Sequence, residues 1–188
     1  MDLRCFIAIE LSESLKKNID ARTKSLRETD ADVKWVPWEN LHLTMKFLGK
    51  TPEKLVPDIK ERLLKAVSPH EKFHIRFYGA GVFPDIRRPR VVWIGILDSD
   101  RLIRLQQDIE ASMVALGYDT ESRPYTPHLT IGRLRSPKGK DALLRELEKF
   151  KEVGFDDMEV RSVSVMKSEL KPTGARYFRL CDIPLGHP

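Results

Sequence analysis

Two cysteines in 188 residues rule out a disulfide framework as the source of stability. Cys5 and Cys181 fall in apolar stretches near opposite ends of the chain and read as buried thiols in a cytosolic setting. No Cys-x-x-Cys or His-Glu-x-x-His spacing occurs, so a zinc site has no support. There is no Gly-x-x-x-x-Gly-Lys-Ser/Thr phosphate loop and no Lys-x-Asp-Gly stretch, so no ATP-activating machinery is legible. No apolar run approaches the ~20 residues that cross a bilayer. The opening Met1-Asp2-Leu3-Arg4-Cys5-Phe6 lacks a basic leader followed by an apolar stretch, so the expected location is cytoplasmic. Low-complexity tracts and Pro/Gly/Ser linkers are missing too, and residues 1–188 are read as a single domain. No heptad or obvious pairing surface points away from a monomer. Charge of one sign is scarce: 33 basic against 28 acidic residues leaves +5, which permits an anionic partner without demanding one.

What the chain does have is an echo. His42-Leu43-Thr44-Met45 returns 86 residues later as His128-Leu129-Thr130-Ile131. In a strand successive side chains point to opposite faces, so His42 shares a face with Thr44, and His128 with Thr130. Leu43, Met45, Leu129 and Ile131 point to the core. Each motif follows a turn, Pro37-Trp38-Glu39-Asn40 or Pro124-Tyr125-Thr126-Pro127.

Around the motifs the pattern alternates strands and helices. Leu3–Leu11 reads as a buried strand, and Ser12 as the N-cap of a helix carrying Leu15, Ile19 and Leu26. The first histidine strand should end near Gly49. The next helix begins at Thr51-Pro52 or, because an interior proline loses a hydrogen bond, at Pro57. Phe73, Ile75 and Phe77 alternate as a half-exposed strand, and Val91–Leu97 is apolar on both faces. Asp100 caps a helix with Leu102, Leu105, Ile109 and Met113 on one stripe, ended by Gly117. A further helix carries Leu143, Leu144, Leu147 and Phe150. Val160–Lys167 and Arg176–Asp182 close the chain as strands. The order implies two related halves about a pseudo-twofold axis, with the histidine strands facing each other.

A paired imidazole suits displacement at phosphorus. Histidine titrates near neutrality, so one ring can act as base and the other as acid. Threonine hydroxyls two residues along can donate to the non-bridging oxygens. Metal is unnecessary in this scheme. Arg133 could pair with phosphate in a forked geometry, and Tyr125 and Phe47 could stack on a base. Arg133 and Phe47 both lie five residues after a histidine, however, which on a regular strand turns them to the opposite face. A bulge near Gly132 would be needed to bring Arg133 round. Basic residues also cluster at Arg87, Arg88 and Arg90, where solubility is the plain alternative, and at Arg133, Arg135, Lys138 and Lys140, which follow a histidine motif. His70, His74 and His187 read as loop, polar-face and tail residues.

The two tetrapeptides resemble the paired His-x-Thr-x signatures of the 2H phosphoesterases. Together with Arg4–Ile9, Asn40–Gly49 and Arg123–Arg133 they resemble the RNA 2′,3′-cyclic phosphodiesterases, also called the 2′-5′ RNA ligase family. The resemblance implies an α+β, bilobal, pseudo-twofold fold, with two antiparallel sheets lining a central cleft and helices packed outside. It implies hydrolysis of RNA 2′,3′-cyclic phosphate ends to 2′-phosphates, with His42 as proton donor, His128 as base, and Thr44 and Thr130 on phosphate oxygens. The implied partner is RNA, with no cofactor, no metal and no ATP. Ligation through a 2′-5′ bond, action on another small cyclic phosphate, and non-catalytic RNA binding are the rival readings.

Overall fold

The computed structural model describes residues 1–172 and 174–186; His187 lies outside the described residues. Among the described residues nine strands and five α-helices follow one another in an α+β order. The strands are β1 (Asp2–Glu10), β2 (Val33–Trp35), β3 (His42–Pro52), β4 (Phe73–Phe83), β5 (Val91–Leu97), β6 (His128–Leu134), β7 (Gly154–Val160), β8 (Ser162–Lys171) and β9 (Gly174–Pro184). The helices are α1 (Glu13–Arg22), α2 (Lys24–Arg27), α3 (Val56–Val67), α4 (Asp100–Val114) and α5 (Lys140–Glu148). They support two antiparallel sheets, one in the order β3-β1-β8-β9 and the other β2-β6-β5-β4-β7.

The two halves are related, and they exchange a strand. β3 lies beside β1 as β6 lies beside β5, and the third position in each sheet is filled from the other half of the chain: β8 pairs with β1, and β4 with β5. This exchange is why no linker separates the halves. α3 packs on β9 and α4 on β3, while α1 packs on β7 and α5 on β4, so each sheet carries helices on its outer face. The apolar side chains of both sheets merge into one buried cluster, from Leu3, Ile7 and Leu43 to Phe77, Ile94 and Leu129. Hydrophobic burial of this kind is the main favourable term in folding.

Local expectations hold at some points and are corrected at others. The helix after Ser12 is broken at Thr23, whose hydroxyl donates to the Ile19 carbonyl (2.8 Å) and competes with the helical pattern. β3 runs past Gly49 to Pro52, because Asp2–Cys5 of β1 offer it a partner. α3 begins at Val56 with Pro57 in its first turn, where the missing N–H is harmless. Ser99, not Asp100, is the N-cap residue of α4. The acidic stretch Gly154–Val160 is a strand that the sequence does not announce, since Asp156, Asp157 and Glu159 break its apolar pattern. Cys5 is buried but Cys181 only half so, and both are free.

Candidate active site

The histidines open their strands at corresponding places, each after a turn that supplies a carbonyl. His42 Nδ1–H donates to the Asn40 carbonyl oxygen (2.7 Å), and His128 Nδ1–H donates to that of Thr126 (2.7 Å). A carbonyl only accepts, so Nδ1 must carry hydrogen in both rings and Nε2 is left for a ligand. Asn40 is itself clamped, its side-chain amide donating to the Ala175 carbonyl (2.9 Å) on β9. Lys16 adds a bond to the adjacent Glu39 carbonyl (2.8 Å).

The rings stand against aromatic walls that the sequence reading did not identify. Phe6 lies 4.9 Å from His42 between centroids, and Tyr177 meets it edge-on at 5.2 Å. Phe83 meets His128 edge-on at 5.0 Å and also packs on Trp93. Phe6, Ala8 and Met166, with Tyr177 against them, form a small apolar patch separate from the main core. The only signal for it was that β1 is apolar on both faces. The walls have an electrostatic consequence. Loss of water holds both imidazoles below the ordinary histidine value, against the opposing pull of the Asn40 and Thr126 carbonyls, and the charge of Arg133 lowers both further.

The charge of Arg133 acts on both rings, as it would where they face one space. This is possible because β6 is bulged. Gly132 faces Val92 and Thr130 faces Trp93, so Ile131 has no partner on β5. The extra residue reverses the alternation beyond it. Ile131 and Gly132 are both buried, and Arg133 emerges exposed on the face of His128 and Thr130. A side chain at Gly132 would collide with Val33 and Trp35 (2.7 and 2.8 Å) on β2, so glycine is required there.

β3 repeats the device. Thr44 faces Ala8 and Lys46 faces Ile7, leaving Met45 unpaired three residues after His42, just as Ile131 follows His128. Met45 and Lys46 are both buried, and Phe47 swings out beside Phe6, 67% exposed. α4 holds this bulge from behind: Gln106 donates to the Met45 carbonyl (3.4 Å), and buried Lys46 pairs with Glu110 (2.7 Å) and donates to the Asp119 carbonyl (2.8 Å).

Comparison with known proteins decides the family. Residues 15–171 match the family model described as the 2′-5′ RNA ligase superfamily. The chain belongs to the 2′-5′ RNA ligase superfamily. Its relatives within that superfamily include a Methanothermobacter thermautotrophicus protein named RNA 2′,3′-cyclic phosphodiesterase, 37% identical over 94% of this chain and 96% of the relative. A Methanocaldococcus jannaschii protein of the same name is 34% identical over 93% of this chain and 96% of the relative. Among solved structures, TT0787 of Thermus thermophilus superposes with a TM-score of 0.81 at 27% identity, covering 99% of this chain and all of that one. E. coli LigT complexed with 3′-AMP superposes with a TM-score of 0.82 and full coverage of both chains; at 23% identity this shows the fold.

Of the residues singled out from the sequence, His42, Thr44, His128, Thr130, Arg133 and Phe47 all lie half-buried or exposed, on the faces of their strands turned away from the buried Leu43, Met45, Leu129 and Ile131. Tyr125 differs. Its ring packs against the main core and its hydroxyl donates to the Thr44 carbonyl (3.2 Å), with burial pushing its pKa up. It ties the loop before β6 to β3 rather than standing free to stack on a base. Two other described histidines are peripheral: His70 pairs with Asp108 (2.7 Å), and His74 is exposed on β4. Among the described residues no group of His, Cys, Asp and Glu is arranged to hold a metal, and no helix is long and apolar enough to cross a membrane.

Proposed function

We propose that this protein hydrolyses RNA 2′,3′-cyclic phosphate ends to 2′-phosphates by two-histidine acid–base catalysis, with residues 1–188 acting as one unit. The observation that carries the reading is the matched pair of imidazoles, each with Nδ1 tied to the carbonyl two residues back and Nε2 free, under the charge of one arginine. The names of the relatives supply the substrate class.

In the proposed reaction His128 Nε2 takes a proton from water as its oxygen attacks phosphorus. His42 Nε2–H gives a proton to O3′ as the P–O3′ bond breaks. The phosphate remains on O2′. The Thr44 and Thr130 hydroxyls and the Arg133 guanidinium hold the non-bridging oxygens, and Phe47 offers a face to the terminal base. Both proton transfers are met by imidazoles, so the step calls for neither metal nor nucleotide. The same displacement with an RNA 5′ hydroxyl in place of water gives a 2′-5′ bond, equally without ATP. At ordinary concentrations water is the more abundant nucleophile, so hydrolysis is the main activity.

The pH dependence tests the reading. The reactive form of the free enzyme carries one proton on the pair, so kcat/KM follows a bell between the two imidazole values. Both are depressed from 6.5, so the maximum for a 2′,3′-cyclic mononucleotide, assayed with EDTA present, falls below pH 6.5. Above it the acid has lost its proton; below it the base has gained one. R133A removes a cation that depresses both values, so the bell moves to higher pH while its height falls. A flat profile from about pH 5 to 8, loss of activity in EDTA, or a product other than the 2′-phosphate contradicts the proposal.

A further inference from the structure

Cationic side chains without an ion pair gather beyond His128. Phe83, Val91, Arg133 and Lys34 are paired in register across β4, β5, β6 and β2 and therefore form one row on one face. Past that row the β4–β5 loop, residues 84–90, carries Arg87, Arg88 and Arg90, all exposed. Its base is fixed beside the site. The Arg90 amide donates to the Phe83 carbonyl (2.7 Å), the Leu134 amide donates to the Arg90 carbonyl (2.9 Å), and the Phe83 ring touches His128. The one carboxylate in the loop, Asp85, accepts through Oδ1 from the amides of Arg87 and Arg88 (2.7 and 3.1 Å) and forms no ion pair with their guanidinium groups. Lys34, Arg87, Arg88, Arg90, Arg133 and Arg135 form no ion pair among the described residues.

In-line displacement gives this basic loop a meaning, on the functional reading above. The leaving O3′ and its ribose belong on the side of His42, and the attacking oxygen enters on the side of His128. A water molecule needs no cationic surface there, but a polyanion does. We propose that the Arg87–Arg90 loop is the docking surface for a second RNA strand, the one whose 5′ hydroxyl replaces water. The 5′ oxygen bonds to phosphorus and gives its proton to His128. The P–O3′ bond breaks and O3′ takes the proton of His42, leaving a 2′-5′ diester and a free 3′ hydroxyl. Occupancy of this loop would then set the balance between joining and hydrolysis.

The test compares wild type with R87A/R88A/R90A in two assays. Hydrolysis of a 2′,3′-cyclic mononucleotide should stay within about twofold. Joining of a cyclic-phosphate oligoribonucleotide to a 5′-hydroxyl oligoribonucleotide should fall at least about tenfold. The slope of log rate against log salt for joining should flatten by about 2, near 0.7 for each of three lost phosphate contacts. Unchanged joining, or an equal fall in both assays, overturns the proposal. So does a loss seen instead in hydrolysis of the cyclic-ended oligonucleotide, which would put the donor strand on this loop. A wild type that hydrolyses but never joins ends this inference and leaves the hydrolase reading standing. A wild type that does not hydrolyse the mononucleotide ends both.

Discussion

H128A is expected to turn over a 2′,3′-cyclic nucleotide about 10²–10⁴-fold more slowly than wild type, and H42A to lose a similar factor. In the proposed mechanism each substitution removes one of the two proton transfers and leaves the proposed Arg133 and threonine contacts in place. The loss should therefore appear in kcat, with KM changed little. The two variants should also differ from each other in pH dependence. H128A keeps the acid and loses the base, so its residual activity should no longer fall as pH drops below the imidazole range. H42A keeps the base, so its residual activity should no longer fall as pH rises. The double variant should be little worse than either single one, because groups that act as a unit are not additive. A protein that merely binds RNA through its basic surface would bind equally well in all three variants and would have no turnover to lose. Measuring kcat, KM and oligonucleotide affinity on one set of proteins separates the two classes. Full turnover in either single variant removes that histidine from the mechanism.

The second large effect is on stability and lies behind the site. E110A leaves Lys46, which is 6% exposed, as a buried cation facing an empty position. Breaking a buried pair in this way typically costs about 3–5 kcal/mol, which for a chain of this length lowers Tm by roughly 6–20 °C. The Asp119 carbonyl, which accepts from the same ammonium, softens the loss without cancelling it. Removing both charges should be much milder: K46M/E110M is expected to recover most of the stability, since a buried pair replaced by well-packed apolar groups is often near neutral. Thermal unfolding of the two variants decides the matter. Equal losses would mean that the pair fixes local geometry in a way no apolar packing reproduces. No loss in E110A would mean that Lys46 reaches water. Lys46 occupies the bulge that turns Phe47 outward, so the recovered double variant also asks whether the bulge survives without the pair, read from KM for the nucleotide.

The sequence displayed the chemistry more plainly than its arrangement. Alternation alone was enough to place His42 with Thr44 and His128 with Thr130, because those spacings lie within a regular stretch of strand. It failed for Arg133 and Phe47. Their offset of five residues is out of phase with a regular strand, and only the unpaired Ile131 and Met45 restore it. A bulge depends on register against a neighbouring strand and on support from outside the sheet, such as Gln106 and Glu110 on α4. Nothing within a single strand encodes either, although a lysine inside the apolar run of β3 was a visible oddity. Phe6 was hidden for another reason. An apolar strand reads as core whether its second face meets a helix or lines a cleft, and only the sheet order shows which. Tyr125 erred the other way: its loop position suggested a free ring, while its hydroxyl is spent on β3.

The most direct test of the account is a crystal structure of the protein with a nucleoside 2′-monophosphate, the expected product, bound in the cleft. Nε2 of His42 and Nε2 of His128 should each lie within hydrogen-bond distance of a phosphate oxygen, on opposite sides of the phosphorus atom, with Arg133 and the two threonine hydroxyls around it. A phosphate held by one imidazole alone, or both imidazoles on the same side of the phosphorus, would contradict it.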